Sequence, residues 1–188
     1  MRIISGKFKG KKILLPKDKL TRPLKDLTKE SIFNILKHSK LLNVELENSY
    51  ILDLFSGVGS FGLECLSRGA KNVTFVESYA EVLGILKKNI DNLSQQNHTK
   101  IIEKDIFSEN TLKLLNDKFD IIFMDPPYKE KKLFILLEVI TKLKLLSTDG
   151  VIIIHRHKKE EENFPKEFNL ILEKNYGISK IIFGDTLT

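Results

Sequence analysis

Four consecutive residues, Asp125-Pro126-Pro127-Tyr128, carry the most specific chemistry in this sequence, directly after an apolar run at 119–124. Two adjacent prolines cannot extend a strand's hydrogen-bond ladder. They stiffen the chain and fix the direction of Asp125 and of the neighbouring carbonyls. A carboxylate and a rigid carbonyl set side by side suit the hydrogens of an exocyclic amine on a base. The lone pair of such an amine is delocalised into its ring, so the nitrogen is a poor nucleophile. Acceptors that hold its hydrogens favour the pyramidal form that attacks. Tyr128 supplies an aromatic face on which an unstacked base can lie. The catalytic set is therefore read as Asp125, Pro126, Pro127 and Tyr128.

A second constellation lies at Asp53-Leu54-Phe55-Ser56-Gly57-Val58-Gly59-Ser60-Phe61-Gly62. Gly57, Gly59 and Gly62 have the spacing of a nucleotide-binding turn between a strand and a helix. Glycine lets the backbone turn tightly and lets a ligand approach the main chain. That spacing alone also fits nicotinamide and flavin enzymes. Glu77, after the next apolar run, fits either reading, since a carboxylate there can grip ribose hydroxyls. Asp53 discriminates. An acid before the glycines repels phosphate but suits a positive amino group, such as the one on the amino-acid half of S-adenosylmethionine. Asp105 stands where it could accept from an adenine amino group.

These residues need a frame. After residue 48 the sequence alternates apolar runs with amphipathic segments: strands at 50–55, 72–76, 100–103, 119–124 and 151–155, helices at 60–68, 79–93 and 131–146. Residues 168–174 and 178–183 read as a terminal antiparallel pair. From Thr28 the pattern is helical, with Ile32, Phe33, Ile35 and Leu36 on one face and Asp26 or Thr28 as cap. Repeated strand–helix–strand units predict a parallel sheet covered on both faces. Ligands bind such sheets beyond the carboxyl ends of the strands, where strand order reverses. Both constellations fall at such ends. The apolar stripe of 131–146 reads as core, and Lys158 to Glu162 as a solvated connection.

The chain has 188 residues and a net charge of +6. Its apolar runs are too short to span a membrane, and its N-terminus lacks the apolar core of a secretory signal. Cys65 is the only cysteine, which excludes an intramolecular disulfide and fits a reducing cytoplasm. No metal is expected; His155 and His157 are expected on opposite faces and not as a metal pair. Residues 1–25 hold nine basic groups, among them Arg2, Lys7, Lys9, Lys11, Lys12 and Arg22, against a single acid, Asp18. A basic arm at 1–25, read as a short hairpin or extended segment, on a near-neutral body at 26–188 suggests a polyanionic partner.

With these residues in view, the sequence resembles the bacterial small-subunit ribosomal RNA guanine-N2 methyltransferases. The likeness runs from Arg2-Ile3-Ile4-Ser5-Gly6-Lys7-Phe8-Lys9-Gly10 through Arg22-Pro23, Asp26, Lys29-Glu30 and Phe33-Asn34. It is densest from Asp53 to Glu64, then passes through Ser67-Arg68-Gly69-Ala70 and Val76-Glu77 to Asp125-Pro126-Pro127-Tyr128 and Tyr176-Gly177. The resemblance implies a Rossmann-like class I methyltransferase fold, α/β with a seven-stranded sheet, and S-adenosylmethionine as cofactor. It implies that Asp53, Phe55, Gly57 and Gly59 face the methionine part, Glu77 the ribose and Asp105 the adenine. Residues 125–128 would hold the target guanine of 16S rRNA, within an assembling small subunit, and a monomer is expected. Arg2, Lys7, Lys9, Lys11, Lys12 and Arg22, with Tyr128, are assigned to RNA. The sequence departs from the family at Leu27-Thr28, at His155-Arg156-His157, where an acid is expected, and at Ile178-Ser179.

Two other functions remain compatible with the residues. An adenine-N6 methyltransferase would share residues 125–128 and flip its base from the stack. A non-catalytic RNA-binding assembly factor would keep the fold without the reaction, although the intact Asp53, Glu77 and Asp125 speak against it.

Overall fold

The sheet grows from strands whose side chains are apolar on both faces. In the computed structural model, which describes residues 1–17, 24–108, 110–127 and 129–187, the order is α1 (Asp26–His38), β1 (Tyr50–Leu54), α2 (Ser60–Ser67), β2 (Asn72–Glu77), α3 (Ala80–Asn92), β3 (Thr99–Glu103), β4 (Phe119–Met124), α4 (Leu133–Lys142), β5 (Leu146–His157), β6 (Phe168–Tyr176) and β7 (Ser179–Thr186). Arg22 and Tyr128, both assigned to substrate from the sequence, lie outside the described residues.

The strands among the described residues form one sheet in the order β3-β2-β1-β4-β5-β7-β6. β1 to β5 pair in parallel, and β7 runs antiparallel between β5 and β6. This is the Rossmann-like arrangement implied by the resemblance. Strand order reverses between β1 and β4, so the two constellations meet at that crevice. Alternation along each strand divides the core. Ile51, Phe123, Ile153 and Phe183 pack against α1, α2 and α3, while Leu52, Met124, Ile154 and Ile182 pack against α4.

Several boundaries differ from expectation. Helix α4 is shorter than 131–146, because Lys144 turns into the left-handed region at φ 51° and Leu145 N–H bonds back to Ile140. β5 starts earlier, pairing Leu146 with Phe119 across an irregularity before Val151 takes up register with Ile121. It also runs on through His157, so His155 and His157, two residues apart, project to the same side; the expectation of opposite faces is wrong. No metal-binding cluster of His, Cys, Asp and Glu occurs among the described residues. Nor does any helix among them have the length and apolarity to cross a membrane.

The N-terminal segment folds back on itself. Arg2 bridges Lys12 in antiparallel fashion, and Ile3 and Ile13 are buried in the core beneath α1–α3. Glu64 of α2 anchors it. Its fully buried carboxylate accepts from Ile4 N–H at 2.8 Å and Ser5 N–H at 2.9 Å, and pairs with Lys29 at 3.4 Å and Arg68 at 2.9 Å. Burial pushes the Lys29 ammonium below its ordinary pKa, and Glu64 opposes that shift. Arg2, Lys7, Lys9, Lys11 and Lys12 stay exposed.

Candidate active site at the carboxyl ends of the strands

Asp53 sits near the end of β1 on the α2 side of the sheet, almost fully buried. Its Oδ2 accepts from Gly62 N–H at 3.0 Å. Burial pushes its carboxyl well above the usual range; the Gly62 hydrogen bond opposes that, and the charges of Asp125 and Glu77 add to it.

The chain then leaves β1 in a strained turn. Phe55 has φ 58°, Gly57 54° and Gly59 82°. A bulky residue at positive φ is a genuine outlier, and such strain gathers at ligand sites. Packing at Gly59 is tight as well: a Cβ there would lie 2.5 Å from Leu86 Cδ1, which would have to shift. Gly57 differs: a Cβ on it would meet nothing within 4 Å. The backbone at Gly57 therefore borders open space.

Glu77, expected to face ribose, is bound to the main chain. Its Oε2 accepts from Gly57 N–H, and its Oε1 from Ser78 and Tyr79 N–H, each at 2.8 Å. Burial raises its pKa, against the pull of those backbone hydrogen bonds. It closes the glycine turn onto the end of β2. Asp105 is exposed and makes a local turn, its Oδ1 accepting from Phe107 N–H at 3.0 Å. That turn presents Phe107, whose ring lies 5.8 Å from that of Phe55.

Asp125 follows β4 beside the end of β1. Its Oδ1 lies 2.8 Å from His155 Nδ1, and His155 Nε2 lies 2.9 Å from Ser179 Oγ. Pro126 is buried and Pro127 exposed. The Pro127 carbonyl accepts from Glu130 N–H at 2.9 Å and from Arg156 Nη1 at 3.1 Å. Arg156, fully buried, also donates to the Glu130 carbonyl at 2.9 Å and pairs with Glu162. The run from Lys158 to Glu162 is thus not merely solvated: Glu162 and the Glu160 carbonyl hold Arg156 and Lys180 respectively.

The crevice brings together Asp53, Gly57, Glu77 and Asp125. The exposed basic residues of the N-terminal hairpin lie on a segment whose backbone bonds to Ser67 at the end of α2 and to Asn89 of α3. Reading the sequence missed Asn89, whose side chain bonds both Val58 C=O and the Leu14 backbone. A lone amide among Val82, Leu86 and Ile90 on one helix face was the available signal. It also missed Phe107, two residues beyond Asp105, and Ser56.

The residues present fit an adenosyl amino-acid ligand. Ser56 Oγ is the one buried side-chain polar atom among the described residues without a hydrogen-bond partner. It lies in the turn between Asp53 and Gly57, where a ligand's polar atom would satisfy it.

A family profile described as conserved hypothetical protein 95 matches residues 1–185. A putative rRNA methyltransferase of Bacillus subtilis is 33% identical, covering 96% of both chains. The ribosomal RNA small subunit methyltransferase D of Buchnera aphidicola is 31% identical over 98% of this chain and 90% of its own. This chain belongs to that family. Among solved structures, a putative methylase from Haemophilus influenzae superposes with a TM-score of 0.77 at 30% identity, covering 100% of this chain and 98% of its own. A putative methyltransferase from Escherichia coli gives 0.80 at 25% identity, with 99% and 97% covered. Family membership thus extends over the hairpin, the glycine turn and the Asp125 loop together.

Proposed function

We propose that this protein transfers a methyl group from S-adenosylmethionine to the exocyclic N2 of a guanine in 16S rRNA, within an assembling small subunit. The observation that carries the reading is the meeting of Asp125 with Asp53 and the glycine turn at one crevice. A donor-binding acid and an amine-holding acid stand there side by side. The relatives named for small-subunit rRNA methylation support the substrate class, and the resemblance in the sequence supports guanine N2.

The cofactor supplies an activated methyl group on a sulfonium; the protein's part is placement. Asp53 and Ser56 would hold its amino-acid end, with Gly57 leaving room for it and Phe55 and Gly59 setting the course of the turn around it. Glu77 would exchange a backbone hydrogen bond for the ribose hydroxyls, and Asp105 with Phe107 would border the adenine. Asp125 and the rigid carbonyl of Pro126 would accept from the target amine, with Tyr128 against the base, while the Pro127 carbonyl, already bonded to Glu130 N–H and Arg156, would fix the loop. Orientation of this kind contributes about 7–11 kcal/mol to a bimolecular transfer. Arg2, Lys7, Lys9, Lys11, Lys12 and Arg22 would hold RNA phosphates, which position without reading sequence.

The test is methyl transfer from labelled cofactor to unmethylated small subunits, free 16S rRNA and duplex DNA, followed by nucleoside analysis. N2-methylguanosine in subunits or rRNA is expected. N6-methyladenine would move the assignment to an adenine methyltransferase. No product on any substrate, with cofactor binding intact, would mean that the target is another nucleic acid; failure to bind the cofactor would favour a non-catalytic assembly factor.

A further inference from the structure

Two neighbouring residues near the end of β5, His155 and Arg156, both grip the Asp125 loop, from opposite faces of the sheet. Resting on the reading above, we propose that His155 is the positioning residue for Asp125, with Arg156 holding the other end of the same loop.

The argument starts from hydrogen-bond capacity. An ionised carboxylate only accepts. The 2.8 Å contact to Asp125 Oδ1 therefore requires the proton on His155 Nδ1, an assignment made from the partners. Nε2 then faces the Ser179 hydroxyl at 2.9 Å, which can donate to the neutral ring. The serine on β7, able to donate or accept, satisfies Nε2 in the tautomer that Asp125 requires. Ring orientation is fixed too, because His155 is buried in a strand hydrogen-bonded on both sides, with His157 opposite Ser179 in the β5–β7 register. With Oδ1 committed to the ring, Oδ2 is left to accept from the target amine.

Arg156 completes the frame. It points to the other face and donates to the carbonyls of Pro127 and Glu130. The loop is then fixed at its first residue by a histidine and at its third by an arginine. Successive strand residues reach opposite faces, so one dipeptide can do both. Small misplacements of reacting groups cost large factors in rate. A support of this kind is expected to act on turnover rather than on cofactor binding.

The test compares His155→Ala, His155→Asn, His155→Gln and Ser179→Ala by steady-state kinetics and cofactor titration. Imidazole N–H spectra of wild-type protein and Asp125→Ala accompany them. His155→Ala should lower kcat by about 10–100-fold, the scale expected when an orienting group is removed, with the cofactor Kd unchanged. Asparagine places an amide nitrogen where Nδ1 stood and should recover most of the loss. Glutamine reaches only the Nε2 position and should not. Ser179→Ala, the milder variant should His155→Ala fail to fold, should show a smaller loss confined to kcat. The slowly exchanging Nδ1–H resonance should vanish in Asp125→Ala. Wild-type kcat in His155→Ala, or equal losses with asparagine and glutamine, would overturn the proposal while methyl transfer by the wild type left the function intact. A wild type that methylates nothing would remove the function and this proposal with it, even if the Asp125-dependent resonance persisted.

Discussion

Asp125 Oδ1 and His155 Nδ1 lie 2.8 Å apart, joining the end of β4 to β5 beside the end of β1. That contact sets a carboxylate next to the buried Asp53, whose own charge it disfavours. Two acids with different surroundings meet at one crevice: one buried against the glycine turn, one partly exposed and held by an imidazole.

Asp53 should make the apoprotein less stable as pH rises. Its folded-state pKa is raised, so the folded chain binds the proton more tightly than the unfolded chain does. Stability is therefore lost as pH climbs from the unfolded value, about 3.9, toward the folded one. Asp53→Asn removes that loss. Its Tm should exceed wild type at pH 7–8, and the gap should close below about pH 4. S-adenosylmethionine affinity should fall at least about tenfold, a loss of roughly 1.4 kcal/mol. Calorimetry across pH, with titration of the cofactor, reads both effects.

Gly57→Ala and Gly59→Ala should separate binding from folding. Both positions have positive φ, which costs a non-glycine residue about 1–2 kcal/mol. Gly59→Ala adds a clash with Leu86 and should show the larger drop in urea midpoint. Gly57→Ala puts its methyl into open space and should lose cofactor affinity out of proportion to its stability.

Glu64→Ala should be severely destabilising. It leaves Lys29 buried without its carboxylate and frees the Ile4 and Ser5 N–H groups. Removing one partner of a buried ion pair costs about 3–5 kcal/mol. Urea unfolding with an unchanged m-value would measure it.

The exposed lysines of the hairpin can be tested without disturbing that anchor. Deleting the segment would also strip Ile3 and Ile13 from the core, at about 1.5–3 kcal/mol each. Replacing Lys7, Lys9, Lys11 and Lys12 by Gln avoids this. RNA affinity should fall, and the slope of log K against log salt should flatten by about 0.7–0.9 for each phosphate no longer neutralised. An unchanged slope would assign RNA binding to another surface.

The site's outline was legible because glycines and prolines constrain backbone directly. Gly57, Gly59 and the pair Pro126-Pro127 imply their turns whatever surrounds them, and apolar runs such as 119–124 imply buried parallel strands. What was not legible depended on residues distant in sequence. Nothing near Glu64 announces that it holds backbone N–H groups some sixty positions earlier. Nothing near His155 or Arg156 announces the loop thirty residues before them. Glu77 shows the same limit: its type suggested a ribose partner, while tertiary packing gives it three backbone N–H donors. The end of α4 was missed because Lys144, not a glycine, takes the left-handed turn.

The most direct measurement is single-turnover methyl transfer by Asp125→Ala against wild type, with the cofactor Kd measured in parallel. A rate reduced about 10²–10⁴-fold at unchanged Kd is predicted, the usual contribution of a positioned proton acceptor. A wild-type rate in Asp125→Ala would contradict the assignment of this carboxylate to the target amine.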